Sequence, residues 1–499
     1  MKLILDGNIN SYYIQTLCMI FFPGEKFGAA EQLDPNAPEL YIRLSEDDDG
    51  VETYARITVG EKSASAEKYY TYSADYGKEK TVKLACGAVV VAVCGEVMGY
   101  RPAWGMLTGV RPSKVATELL HVGLSKTRVK RILTGDYFVI PKKAALATEV
   151  ALNEQKLIGT PSPKDCSVYI SIPFCPTRCS YCSFVSYTSP KLLQLIPEYL
   201  EHLLMDMEYT FKKIRELGLR IATVYIGGGT PTILTADQLR VLLSKIAELT
   251  DVSALEEYTL ESGRPDTITA EKMAVAKEYG VTRVCVNPQS MSDVVLQNIG
   301  RTHTAEDFLR AYDIAKNAEI PVINTDLIVG LPGDNFKTFS ATFDKILSLR
   351  PENITVHTFC IKKAAEILRQ GNNVYSLRGG DAGKCVDYSQ LKAQEENYLP
   401  YYMYRQKNTV GNLENVGFSL EGCEGRYNIY MMEEVHSIFA LGAGAVSKMV
   451  DYRPKQGGKP MIERLFYPKY PYEYLRDEST QDKMLAMEEF YTRRGLLDD

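Results

Sequence analysis

The chain has 499 residues, of which 45% are hydrophobic and 24% charged, and a formal net charge of -6. That apolar fraction is ample for packed cores and excludes wholesale disorder. An acidic balance leaves no broad cationic footprint for nucleic acid.

The first residues, MKLILDGNINSYYIQ, lack a basic segment leading into an apolar run, and no stretch approaches 18 consecutive apolar residues. The longest apolar candidate, 84–98, carries Glu96. The expectation is a cytoplasmic chain without a signal peptide or a membrane span. In such a compartment its 11 cysteines are buried thiols, metal ligands or catalytic groups, not disulfides.

Residues 1–160 predict an N-terminal α+β domain. Segments 40–44, 53–59 and 82–93 are strand-like, and 113–133 is helical. Two short helical runs flank Gly123, with Lys126, Arg128, Lys130 and Arg131 in the second. The pattern suits a helix-turn-helix, but the acidic balance favours a solvated helix face, so no nucleic-acid partner is expected. KLIGTPSPKD, 156–165, carries two prolines and a glycine and reads as a linker.

From 161 to 363 the rhythm changes. Strands are predicted over 167–172, 222–226, 257–261, 281–287, 321–329 and 353–357. Helices are predicted over 192–217, 236–249, 270–279, 293–299, 305–318 and 335–349. Strand and helix alternating six times predict parallel βα units in a partial (β/α)6 TIM-like barrel, with chemistry at the C-terminal strand ends. Residues 364–499 form a tyrosine-rich C-terminal extension, expected to serve as substrate or lid region. It contains the glycine turn LGAGAVSK at 441–448. Tyr401, Tyr402, Tyr404, Tyr427 and Tyr430 suit the core or a substrate platform, with core or surface packing the default expectation.

After the first barrel strand comes YISIPFCPTRCSYCSFVS, with Cys175, Cys179 and Cys182 spaced C-x-x-x-C-x-x-C. Thiolates on one short loop suit iron–sulfur or zinc. Structural zinc usually takes four ligands from paired hairpins, and no fourth Cys or His lies nearby. Three thiolates on a four-iron cluster leave one iron open to a ligand.

This spacing after the first strand of a partial barrel resembles the radical S-adenosylmethionine (SAM) superfamily. YISIPFC, SYC and the downstream blocks resemble the oxygen-independent coproporphyrinogen III oxidases, most closely their HemZ branch. The resemblance runs from Tyr169 to the C-terminus. It implies a [4Fe-4S] cluster on the three cysteines and SAM at the open iron. In VYIGGGTPTIL, Gly227, Gly228, Gly229 and Thr230 match the loop that binds the SAM amino group. Glu261 in EYTLESGRP and Gln289 in VCVNPQS match SAM contacts. Arg301 would pair with the methionine carboxylate, and Asp326 in NTDLIVGLPG with the ribose diol.

Tyr169 matches the tyrosine implied at the cofactor and in catalysis. The family's histidine two residues later is Ser171 here, and its fourth cysteine is Phe184. A phenylalanine there also occurs in heme chaperones and heme-degrading methyltransferases of the family.

The resemblance implies reductive cleavage of SAM and, in the oxidases, two oxidative decarboxylations of coproporphyrinogen III that give protoporphyrinogen IX. A flavodoxin or ferredoxin would supply the electron. Lys362, Lys363, Arg405, Lys407 and Arg426 are candidates for gripping a tetracarboxylate, and His303, His357 or His436 would be the axial ligand of a heme-binding protein.

Overall fold

The computed structural model describes residues 1–28, 34, 36–72, 76–360, 380–406, 409–453 and 460–497. The described chain groups into two compact units. The first takes in residues of Met1–Leu152, Tyr375–Lys384 and Met403–Asn415; the second takes in residues of Asn153–Val374, Cys385–Tyr402 and Val416–Asp499.

The first unit carries a four-stranded sheet of β1 (Lys2–Asp6), β2 (Glu39–Glu46), β3 (Gly50–Val59) and β4 (Lys62–Thr71), in that order. The β3 strand alternates buried Thr53, Ala55 and Ile57 with solvent-facing residues, as a sheet with one covered face requires. The cover is a helix, Gly77–Met98, whose Ala85 carbonyl accepts the Thr53 hydroxyl at 3.3 Å.

The strand expected over 82–93 is therefore wrong. Its run of valines is buried on nearly every side of that helix, so it shows neither a 3.6-residue nor a two-residue period. Alanine and glycine between the valines remove the β-strand bulk that the reading assumed. By length and composition this helix could cross a membrane, but 67% of its apolar window is buried in the fold. The helical stretch 113–133 resolves into two helices, Ser113–His121 and Lys126–Gly135, with Gly123 between them at φ +85°.

Most of an eleven-stranded sheet lies in the second unit. Six parallel strands follow one another in chain order: β5 (Asp165–Ile172), β6 (Arg220–Gly228), β7 (Glu257–Leu260), β8 (Arg283–Cys285), β9 (Val322–Val329) and β10 (Asn353–Thr358). Beyond β10 lie β12 (Glu414–Ser419), antiparallel, and then β11 (Leu399–Arg405). On the other side β13 (Ser437–Leu441) pairs parallel with β5, followed by antiparallel β14 (Val446–Asp451) and β15 (Met461–Phe466).

The six parallel strands form the α/β core expected of the partial barrel, with helices between them at the predicted places. Three of those helices start on reciprocal caps, Thr235 with Gln238, Thr304 with Asp307 and Asn335 with Thr338. Each cap satisfies backbone N–H groups that would otherwise lack a partner. The longest, Ile196–Glu216, buries Tyr199, Leu203, Met207, Phe211 and Ile214 on one stripe, each worth about 1.5–3 kcal/mol of burial. β8 spans three residues where seven were predicted. The chain beyond it still touches β9, through the Val286 N–H on the Asn324 carbonyl and a single bridge between Gln289, at φ +65°, and Leu327.

Candidate active site

The C-terminal ends of β5 to β9 bring the quoted motifs to one side of the barrel. Chain leaving β5 passes through Phe174 to the three cysteines. The glycine run leaving β6 lies directly on it, with Gly229 N–H donating to the Ile172 carbonyl and Thr230 N–H to that of Phe174, both at 2.8 Å. A Cβ on Gly229 would stand 2.5 Å from the Phe174 carbonyl oxygen, and Gly228 sits at φ +111°. These two glycines let two backbones touch. Thr230 is buried and its hydroxyl oxygen lies 3.3 Å from Cys175 Sγ.

Burial pushes the Cys175 thiol up to about 11, opposed by the Thr230 hydrogen bond, and raises that of Cys182. Cys175 feels the charges of Cys182 and Cys179, and Cys182 that of Cys179, so the thiols share one neighbourhood. Among the described residues they are not gathered at metal-ligand spacing. The donor set fits an iron–sulfur cluster: three soft sulfurs on one loop, with buried cations behind them.

Those cations are arginines. Arg301, 7% exposed, donates through Nη1 to the Gly263 and Asn287 carbonyls and through Nη2 to the Tyr181 hydroxyl at 2.9 Å, leaving buried Nε without a partner. Its fork is thus turned onto the protein. Arg264, 3% exposed, binds Asp266 with two nitrogens and reaches Thr177 and Cys179 with a third.

Beneath them lies a ring of polar groups. Glu261, half-buried, is pushed up to about 8, by burial first and by the neighbouring Asp326 charge second; hydrogen bonds from Tyr225 and the Gly228 backbone oppose this. Asp326 accepts from Asn287 Nδ2 at 3.0 Å and stands 3.7 Å from His357 Nε2. Buried Gln289 holds its place by backbone bonds to Asp326 and Ile328, while its side-chain oxygen has no partner.

The floor is aromatic. Tyr169 on β5 stacks with Tyr225 on β6 at 6.0 Å, and both stack with Tyr427, at 6.2 and 4.6 Å. Tyr427 comes from the helix Arg426–Glu433. Tyr401, Tyr402, Tyr427 and Tyr430 are buried, and Tyr404 is only partly so.

The structure therefore brings Tyr169, Gly228, Gly229, Thr230, Glu261, Gln289, Arg301, Asp326 and the three cysteines to one end of one barrel. Other expectations fall elsewhere. Arg405 is buried in the first unit and donates to the Leu107 and Gly109 carbonyls. Arg426 is committed to Glu256 and Tyr430. Lys362, Lys363 and Lys407 lie outside the described residues. Ser171 donates to the Ala443 carbonyl, and His436 is bonded to Ser167 near the strand starts. Arg264, Tyr181, Asn287 and Tyr225 were missed although they lie inside the quoted motifs.

A family model described as the radical SAM superfamily matches residues 169–346, the segment that carries this barrel and these residues. This defines the class of protein: a radical SAM protein, whose superfamily uses a [4Fe-4S] cluster and SAM. The oxygen-independent coproporphyrinogen-III oxidase-like protein HemZ of Bacillus subtilis is 36% identical over 421 residues, 83% of each chain. The heme chaperone HemW of the same organism is 30% identical over 64% of this chain and 80% of its own. The solved coproporphyrinogen III oxidase HemN of Escherichia coli aligns with a TM-score of 0.49 and 18% identity, covering 66% of this chain and 72% of that one. The chain belongs to the oxygen-independent coproporphyrinogen III oxidase family of radical SAM proteins, on its HemZ branch.

Proposed function

We propose that this chain is a radical SAM oxidoreductase acting on a tetrapyrrole, and that it converts coproporphyrinogen III to protoporphyrinogen IX by oxygen-independent oxidative decarboxylation. The observation that carries the reading is the convergence, at one end of the barrel, of three thiols with buried polar groups that retain unused bonding capacity. Cluster and cofactor, when bound, supply reductive carbon–sulfur cleavage and the hydrogen abstraction that follows.

The chain's own residues hold and orient. Cys175, Cys179 and Cys182 would ligate three irons. The Glu261 carboxylate would face the cofactor's ammonium, Asp326 its ribose hydroxyls, and the free Gln289 oxygen and Arg301 Nε its remaining polar groups. The Tyr169–Tyr225–Tyr427 stack would give the bound cofactor an aromatic wall. A flavodoxin or ferredoxin is the proposed electron donor.

One observation favours a second reading, a heme chaperone. Phe184, two residues after Cys182, is 70% exposed and offers an apolar face to a flat macrocycle, and the HemW relative shares this fold family.

Anaerobic incubation with coproporphyrinogen III, SAM and a reductant, read by mass spectrometry, separates the readings. Loss of two carboxyl groups supports the oxidase. Heme binding without product supports the chaperone, and a methylated or ring-opened tetrapyrrole supports a methyltransferase of the same family.

A further inference from the structure

Arg264 is placed with unusual economy for a buried cation. It lies in the loop after β7, and its guanidinium is pinned on two sides. Nε and Nη2 grip Asp266 Oδ1 and Oδ2 at 2.9 and 2.7 Å, and Nη2 also donates to Thr302 Oγ1 at 3.0 Å. Thr302 in turn donates to Asp266 at 2.9 Å, which closes the ring of anchors. A planar fork fixed at two corners has no freedom at the third. That third corner, Nη1, points into the cysteine loop. It lies 2.9 Å from Thr177 Oγ1 and 3.6 Å from Cys179 Sγ.

We propose that Arg264 is a positioning residue for the iron–sulfur cluster: it holds Cys179 by an N–H···S bond and raises the reduction potential of the cluster that Cys179 helps to bind. This rests on the reading of the three cysteines as cluster ligands.

The physical reason is direct. Reduction adds one negative charge to a cluster already carrying three thiolates. A cation and a hydrogen-bond donor fixed beside one of those sulfurs stabilise the reduced form more than the oxidised form. The donation is charge-assisted, and burial keeps water from screening it. Asp266 tempers the net charge, and Arg301 lends a second cation to the same loop, so the directional N–H···S bond is the part specific to Arg264. The bond also fixes the Cys179 sulfur before the cluster arrives, whereas Cys175 is steadied by a hydroxyl, Thr230.

The test uses the full chain reconstituted anaerobically with iron and sulfide, as the parent and as R264Q, R264K and T302V. Iron is counted, and the midpoint potential is read by electron paramagnetic resonance during a redox titration. The parent is expected to hold about four irons. At the parent's midpoint potential, the reduced-to-oxidised ratio of R264Q should fall about tenfold, equivalent to about 59 mV for a one-electron couple. R264K, which keeps the charge and loses the fork, should fall between the two. T302V, which removes one anchor, should shift the same way by less.

A fully loaded R264Q at the parent's potential overturns the inference and leaves the cluster intact as a reading. A parent that binds no iron overturns the cluster reading itself. If R264Q fails to fold or load, T302V decides: an unchanged potential there overturns the role of Arg264.

Discussion

The two ends of the same barrel use buried polar side chains in opposite ways. At the strand starts most of them answer one another, although Arg283 Nε and Ser419 Oγ make no hydrogen bond. Arg283 on β8 donates to Asn324 Oδ1 at 2.5 Å and to the carbonyls of Cys423 and Glu424, and its Nε faces Glu257 Oε2 at 3.3 Å. Ser167 lies 2.7 Å from both Thr223 Oγ1 and His436 Nε2. At the strand ends the same kinds of groups are left wanting. Gln289 keeps a buried oxygen and Arg301 a buried nitrogen without a partner, and Glu261 is held in a setting that disfavours its charge. Buried polar groups are normally satisfied, so a cluster of exceptions marks where a ligand completes the structure. The starts are knitted mainly into the fold, and the ends keep polar capacity facing the three cysteines.

Substitutions at each end sharpen that division. The largest effect is expected at the open end from Cys179→Ala, which removes one of three cluster ligands. Anaerobically reconstituted C179A should lose the iron and the brown colour, and 5′-deoxyadenosine formation from SAM should fall to background, while the apo-protein's thermal transition stays near the parent's. A variant that still cleaves SAM at the parent's rate defeats the cluster assignment.

At the closed end the expectation reverses. Arg283→Met leaves the buried Glu257 carboxylate, Asn324 and two carbonyls short of a partner, a loss of about 3–5 kcal/mol. Urea unfolding should show this in full. Iron content per folded molecule should be unchanged; a matching loss of cluster would mean the two ends are not separate.

Gly229→Ala tests the backbone contact that carries the cysteine loop at the open end. Its methyl group would press on the Phe174 carbonyl at 2.5 Å, and backbone cannot move aside as a flexible side chain can. A cost of about 1–3 kcal/mol is expected, with weakened iron retention because the displaced segment leads straight to Cys175. The calorimetric transition and the iron count should move together.

What the sequence disclosed and what it hid divide along a physical line. The barrel helices were legible because their signals are local: Thr235, Thr304 and Asn335 cap them, and Ala236–Leu249 begins and ends where its apolar period does. The cysteine spacing and the strand-end motifs were legible for the same reason. The helix Gly77–Met98 was not, because a fully buried run has no polar face to give it a period. Arg264 was overlooked for a different cause. It stands in a quoted motif, but its meaning lies in Thr177, 87 residues away, and Thr302, 38 residues away. Tyr427 likewise gains its place from Tyr169 and Tyr225 on strands far back in the chain.

The smallest effect, and the one that reads the open end most directly, is the pH dependence set by Glu261. Its ordinary value of 4.5 is raised to about 8 in the folded chain, by burial first and by Asp326 second. Between those values the folded state keeps a proton that the unfolded state has lost. Stability therefore falls as pH rises from about 4.5 to about 8, and levels off above. Glu261→Gln removes the titration and keeps the shape. Apo-E261Q should match the parent near pH 5 and exceed it by roughly 1–2 kcal/mol near pH 8.5, the full linkage being reduced because the residue as a whole keeps some contact with solvent. Chemical unfolding at the two pH values measures the gap. Equal stability at both would mean that Glu261 is ordinarily solvated. The open end would then lose the group whose charge a bound ammonium would favour, whereas the same substitution in the SAM-loaded chain should cost affinity at both pH values.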